Sequence, residues 1–197
     1  MQRLNLGCGP HPAEGWVNAD VKPAAGVQLV GDIRDGLQLP DGSMDVVVAI
    51  HFLQDLPWPD IPKALAEMRR VLKPGGTLRL ALPDLDRAID AYRREDAAYF
   101  HVPDEDARSV GAKLVTQIIW YGSVRTPFNF QFASELLQDA GFERIRRCSF
   151  RHSDSGRPGI TELDNRERES LFVEAQAPAA QAEEWRLPRS EASRSAP

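Results

Sequence analysis

Residues 44–50 read Met-Asp-Val-Val-Val-Ala-Ile, with five apolar positions in a row from Val46 to Ile50. Successive side chains of a strand point to opposite faces, so a strand with one wet face alternates apolar and polar residues. A β-branched run without alternation fits a strand buried on both faces, the situation inside a parallel sheet with both sides covered. That one segment directs the chain towards an α/β architecture.

The rest of the pattern agrees. Arg3–Leu6 is a short apolar-rich run ending at glycine. Trp16–Val21, Val27–Val30, Thr77–Leu82, Phe142–Phe150 and Ser170–Ala175 are further strand candidates. Between them, Pro59–Leu72 predicts a helix. Ile61, Leu65, Met68 and Leu72 form its core-facing stripe, Asp60 is a candidate N-cap, and Pro62 suits the first turn. Pro74-Gly75-Gly76 is expected to end it. Residues 84–121 are mostly helical in pattern, and Gln131–Ala140 predicts a last helix with Gly141 just beyond it. A polar loop, His152–Glu169, precedes the final strand. This order predicts a Rossmann-like, mostly parallel, doubly wound sheet with a helical insert after strand five. Residues 1–175 form the expected domain. The Ala-, Pro-, Glu-, Arg- and Ser-rich stretch 176–197 has too little apolar content to order itself and is expected to be a disordered tail.

The charge balance narrows the function. With 29 acidic against 24 basic residues and a net charge of −5, no phosphate-tracking surface is indicated, and no nucleic-acid partner is expected. Arg144, Arg146, Arg147 and Arg151 read as solvated charges. Cys8 and Cys148 lie too far apart in sequence for metal-ligand spacing. Leu6-Gly7-Cys8 lacks the basic and apolar stretches that a secretory leader needs before its cleavage site. No apolar run has the length of a membrane span. The expectation is a soluble, cytoplasmic protein.

Open parallel sheets bind ligands at the carboxyl ends of their strands, near the point where strand order reverses. Four such ends carry chemistry. Leu4-Asn5-Leu6-Gly7-Cys8-Gly9 runs a strand into Gly-x-Gly, which lets the backbone turn sharply and approach a ligand without an intervening Cβ. Asp20 closes the second strand, where a carboxylate can accept both hydroxyls of a ribose; capping a turn is its plainer role. Gly31-Asp32 follows the third strand, where Asp32 can accept from the exocyclic amine of a purine or serve a turn. His51 closes the fourth, followed by Gln54 and Asp55.

Together these segments resemble the class I S-adenosylmethionine-dependent methyltransferases. Leu4 to Gly9 is similar to that family's first motif, Asp20 to its ribose ligand, and Gly31-Asp32 to its adenine-contacting position. Leu39 to Val47 and Arg70 to Leu78 are similar to its runs into strands four and five. The resemblance implies S-adenosylmethionine as cofactor and an antiparallel last strand. It also implies a cofactor-binding set of Gly7, Cys8, Gly9, Asp20, Val21, Asp32, Ile33, Ile50 and His51. The chain departs from the family in two places. Only ten residues, two of them proline, separate Gly9 from Asp20, so the first crossover helix must be vestigial or absent. The family's common His-x-x-Glu-His is here His51-Phe52-Leu53-Gln54-Asp55.

The implied activity is methyl transfer to an O or N atom of a small-molecule or sugar acceptor. His51 and Asp84 are the candidate catalytic groups, with Asp86 beside them; a packed, backbone-bonded histidine is the competing account of His51. His101, Tyr121 and Arg125 are candidates to line the acceptor pocket. Two other classes remain open: a nicotinamide-dependent Rossmann oxidoreductase, which lacks its third glycine here, and a non-catalytic cofactor-binding subunit. The oligomeric state is not legible.

Overall fold

The computed structural model describes residues 1–179; the expected tail from 180 to 197 lies outside the described residues. Seven strands make one sheet: β1 (Arg3–Leu6), β2 (Val17–Asp20), β3 (Leu29–Val30), β4 (Met44–Ile50), β5 (Leu72–Pro83), β6 (Glu143–Cys148) and β7 (Ser170–Gln176). Their order is β3-β2-β1-β4-β5-β7-β6. All pairs among β1 to β5 are parallel, and β7 runs antiparallel to both β5 and β6. The Rossmann-like class and the reversed last strand are therefore as expected.

β4 sits centrally between β1 and β5. Val47 and Ala49 enter one core, while Val46 and Val48 enter another, which is the two-faced burial its sequence requires. The first core also takes Leu4 and Leu6 of β1, Leu78, Leu80 and Leu82 of β5, and Val173 of β7. It is covered by α1 (Ile61–Val71) and α4 (Phe130–Asp139). Ile61, Leu65 and Met68 are each fully buried, worth about 1.5–3 kcal/mol apiece relative to exposure.

The opposite face is covered by chain without regular structure. Trp16, from the turn before β2, packs with Ile160 and Leu163 from the loop between β6 and β7. That loop also meets Arg79 of β5, whose side chain is wholly buried. Arg79 donates through Nε and Nη2 to Asp164, through Nη1 to Glu174 and to the His152 carbonyl, and through Nη2 to the Ser149 carbonyl. All five of its N–H groups are thereby used. Burial works against the charge, yet the two carboxylates more than offset it and hold the guanidinium above its ordinary pKa.

Several local expectations shift. Asp60 precedes α1 but makes no side-chain cap; its carboxylate takes Arg34 Nη1 at 3.0 Å. Pro62 does occupy the first turn. Pro74-Gly75-Gly76 does not end the helix, which stops at Val71. It forms a bulge inside β5, where the register jumps from Met44↔Leu72 to Val46↔Thr77. A Cβ on Gly76 would lie 2.8 Å from the Lys73 carbonyl, so the bulge closes only around glycine. Between Gly7 and Trp16 there are turns and no helix, as the ten-residue spacing requires. The insert holds α2 (Leu85–Arg93) and α3 (Val110–Ile119). Most of the chain from Arg94 to Ser109 between them is non-helical.

Candidate active site

The parallel register brings the carboxyl ends of β1, β2, β3 and β4 to one edge. At the end of β1, the Gly7 N–H donates to the Ala19 carbonyl at 2.8 Å. Gly7 has φ +70°, and a Cβ there would stand 2.4 Å from the Phe52 ring. Glycine is required both by conformation and by the close approach of the segment after β4. Gly9 is also left-handed, and a Cβ there would meet nothing within 4 Å, so its backbone faces open space. Its N–H donates to Asp20 Oδ2 at 2.8 Å, and Lys22 N–H donates to Oδ1 at 3.0 Å. A carboxylate has about four acceptor positions, so Asp20 closes the glycine turn and retains capacity for a ligand's hydroxyls. Cys8 is buried, which together with the Asp20 charge raises its thiol pKa and keeps it protonated. Val21 is exposed beside Asp20.

The third strand end is more fully committed. Asp32 accepts from Arg34 N–H, Nε and Nη2 at 2.6–3.0 Å. This pairing holds its carboxyl below the usual carboxylate range. An amine reaching Asp32 must therefore share it with Arg34. The Ile33 side chain is turned into the core, and Ile50 packs towards Trp16 on the other face of the sheet. Those two residues can face a ligand only through their main chains.

His51 stands at a junction. Its N–H donates to the Ala81 carbonyl of β5, while its neighbour Phe52 lies against Gly7. On the β5 side opens a cavity of about 290 Å³, bordered by His51, Gln54, Asp55, Tyr99, Trp120 and Arg166 among others. His51, Trp120 and Arg166 are three of the seven non-glycine residues with left-handed backbone among those described. Such strain gathers at functional sites when the surroundings over-determine it.

The His51 ring is held by one contact. Nε2 lies 2.8 Å from Ser170 Oγ, and that hydroxyl lies 2.7 Å from the Arg166 carbonyl. A carbonyl only accepts, whereas an imidazole nitrogen does either. The arrangement that satisfies all three groups runs from Nε2–H to Oγ, and from the Oγ–H to the carbonyl. Nδ1 is then the lone pair left over. Burial, reinforced by the Arg166 charge, lowers the imidazole pKa to about 3. His51 is thus neutral at pH 7.

Asp84 also borders the cavity, but its carboxylate is engaged elsewhere. One oxygen caps α2, accepting from Asp86 N–H and Arg87 N–H, and the other pairs with Arg147 and Arg87. Asp86 lies in that first turn and accepts from Asn129. The three expected pocket residues do not border the cavity. His101 faces Glu169 at 3.5 Å from a neighbouring groove, Tyr121 is exposed and donates to Asp106, and Arg125 contributes its main-chain N–H to Gln54. Tyr99, Trp120, Glu169 and Arg166 border it instead. The sequence signal for Trp120 was its place in the insert; Arg166, Glu169 and Ser170 sit where only the fold brings them near His51.

Among the described residues, no group of three or more His, Cys, Asp or Glu side chains is arranged to hold a metal ion. No described helix is long and apolar enough to cross a membrane.

Residues 4–80 match the methyltransferase domain family. Over 49 residues, 24% of this chain and 17% of its relative, the sequence is 57% identical to the probable methyltransferase ltbC of Aspergillus luteorubrus. Over 139 residues, 68% of this chain and 52% of its relative, it is 30% identical to the ubiquinone/menaquinone biosynthesis C-methyltransferase UbiE of Methylobacterium nodulans. The chain thus spans about half the length of this second relative, and less of the first. Among solved structures, a SAM-dependent methyltransferase from Methanosarcina mazei superposes with a TM-score of 0.55 at 19% identity, covering 90% of this chain and 92% of that one. This likeness establishes the fold.

Proposed function

From the premise that this chain has the class I S-adenosylmethionine-dependent methyltransferase fold, with the domain match over residues 4–80, we propose that it methylates a small molecule. The acceptor is a small-molecule or sugar compound held in the cavity beside His51, and the methylated atom is O or N. One observation carries this reading. His51 borders the cavity while Phe52 beside it lies against Gly7, so a cofactor on the Gly7–Asp20 edge and an acceptor in the cavity would meet near this residue.

The residues at the edge fit the cofactor. Asp20 has acceptor capacity beyond its two main-chain donors, as a ribose requires. Gly9 presents open backbone beside it. Gly7, Cys8, Gly9, Asp20 and Val21 would hold the nucleoside side, with Asp32 and the main chain of Ile33 nearer the base. The main chain of Ile50 and His51 would bound the reacting end. When bound, the cofactor supplies a methyl already activated on a sulfonium.

The chain's remaining task is positioning, which contributes most when reacting atoms are held in line. A neutral His51 with its pKa near 3 is a hydrogen-bond acceptor rather than a proton store. Its Nδ1 bounds the acceptor's pocket as a hydrogen-bond acceptor, and the proton of the methylated atom leaves to solvent. Asp84 acts at one remove, fixing the start of α2 and hence the cavity wall.

A thermal-shift comparison tests the reading. S-adenosylhomocysteine should raise the melting temperature in a concentration-dependent way, and NAD should not. The reverse result would move the chain to the nicotinamide-dependent class.

A further inference from the structure

Gln54 is 4% exposed and forms part of the cavity wall. Its side-chain amide is oriented by two hydrogen bonds: Nε2 donates to the His51 carbonyl at 2.6 Å and to Asp55 Oδ1 at 3.2 Å. Exchanging the amide nitrogen and oxygen would set oxygen against two acceptors, so this assignment is the one chemistry allows. The consequence is that Gln54 Oε1 is buried without a hydrogen-bond partner. Such groups are rare in folded proteins, and each calls for an explanation. The surrounding wall sets the flat side chains of Tyr99, Trp120 and Phe128 beside the charged groups of Asp55, Arg166 and Glu169, around a volume of about 290 Å³. That volume is at the small end for a ligand site and suits one substituted ring.

We infer that Gln54 is an acceptor-recognising residue: its Oε1 receives a hydrogen bond from the hydroxyl or amine of a compact aromatic ring seated in this cavity. The inference rests on the methyltransferase reading above and deepens it by naming the substrate class. Bringing the oxygen to the ring's donor takes a turn about the last torsion of Gln54, which is broad in amides, and the new bond offsets what Nε2 loses at the His51 carbonyl and Asp55. A site built around a buried acceptor rejects an analogue that lacks the donor, because the acceptor is then left unpaired. The methyl ether of a phenol is such an analogue, and it is also what O-methylation yields. The same contact therefore favours substrate over product.

Ligand-observed NMR titration of the full chain with phenol and with anisole tests this. Phenol should bind at least tenfold more tightly than anisole. In Gln54→Met, which keeps the length and removes the acceptor, the ratio should fall to within twofold through weaker phenol binding alone. Gln54→Leu also removes the acceptor without setting an oxygen against Asp55, and it should narrow the ratio in the same way, which provides a second variant if Gln54→Met does not fold. Equal binding of the two probes by the wild type, an unchanged ratio in Gln54→Met, or no binding of phenol at millimolar concentration would each overturn the inference. A parallel titration with S-adenosylhomocysteine separates the two claims. Its failure removes the methyltransferase reading and leaves the phenol-to-anisole ratio as an independent result.

Discussion

The Arg79 guanidinium lies 2.5 Å from the Asp164 carboxylate, and both side chains are fully shielded from solvent. Eighty-five residues separate them in sequence. The pair, completed by Glu174, fastens the β6–β7 loop onto the sheet face that helices do not cover. Arg79→Met removes the cation, leaving the buried Asp164 carboxylate without an ion pair and Glu174 with Arg146 alone. A loss of about 3–5 kcal/mol is expected, as for other broken buried pairs, measured by urea unfolding. Limited proteolysis should cut first within residues 149–169. A loss below about 1 kcal/mol would show that the loop is held by its apolar contacts alone.

Asp20→Ala removes the carboxylate at the end of β2 and frees the Gly9 N–H it accepts. Hydrogen bonds to a charged acceptor contribute about 1.5–3 kcal/mol each. The affinity for S-adenosylhomocysteine should fall at least about tenfold in calorimetry, with the far-ultraviolet circular dichroism unchanged. Unaltered affinity would refute the ribose role.

Gly7→Ala meets two obstacles. Its φ of +70° is unfavourable for a residue with a side chain, and the new Cβ would stand 2.4 Å from the Phe52 ring. Together these should cost about 1–3 kcal/mol, read as a lower melting temperature with weakened cofactor binding. Adding Phe52→Ala should relieve the clash but not the backbone strain, so the double variant recovers only part of the loss.

His51 gives a pH dependence of defined sign. Its imidazole titrates near 6.5 when unfolded and at about 3 in the fold. Between those values the unfolded chain holds more protons, so its contribution to stability is complete above pH 6.5. On acidification that contribution declines by up to about 1.4 kcal/mol per pH unit. His51→Asn, which tolerates the left-handed backbone at this position, should show a shallower decline in acid. The methyl-transfer rate of the wild type should show no histidine inflection near pH 6.5. An inflection there that disappears in His51→Asn would mean that the ring is protonated in the working enzyme.

Much of the fold was legible in the chain because local rules carry it. The unbroken apolar run of β4 required burial on both faces, and the α1 stripe at three- and four-residue spacing required one covered face. Ten residues between Gly9 and Asp20 excluded a crossover helix, and the turns found there follow from that count. The boundaries that moved did so where tertiary contact competes with local preference. Asp60 exchanged a helix cap for Arg34, and Pro74-Gly75-Gly76, which reads as a helix stop, became a bulge held by β7 and the residues after it.

The sequence by itself determined the glycine edge, the acidic residue at the end of β2 and the central strand, since each depends on neighbours a few positions away. Only the tertiary structure decided what surrounds His51. Its partner Ser170 lies 119 residues downstream, and Arg166 and Trp120 arrive from a loop and from the insert. It also decided that Asp84 caps a helix between arginines, and that a loop covers the face opposite α1 and α4. The physical reason is the same in each case. Desolvation and charge pairing depend on distance through space, and distance along the chain does not encode them.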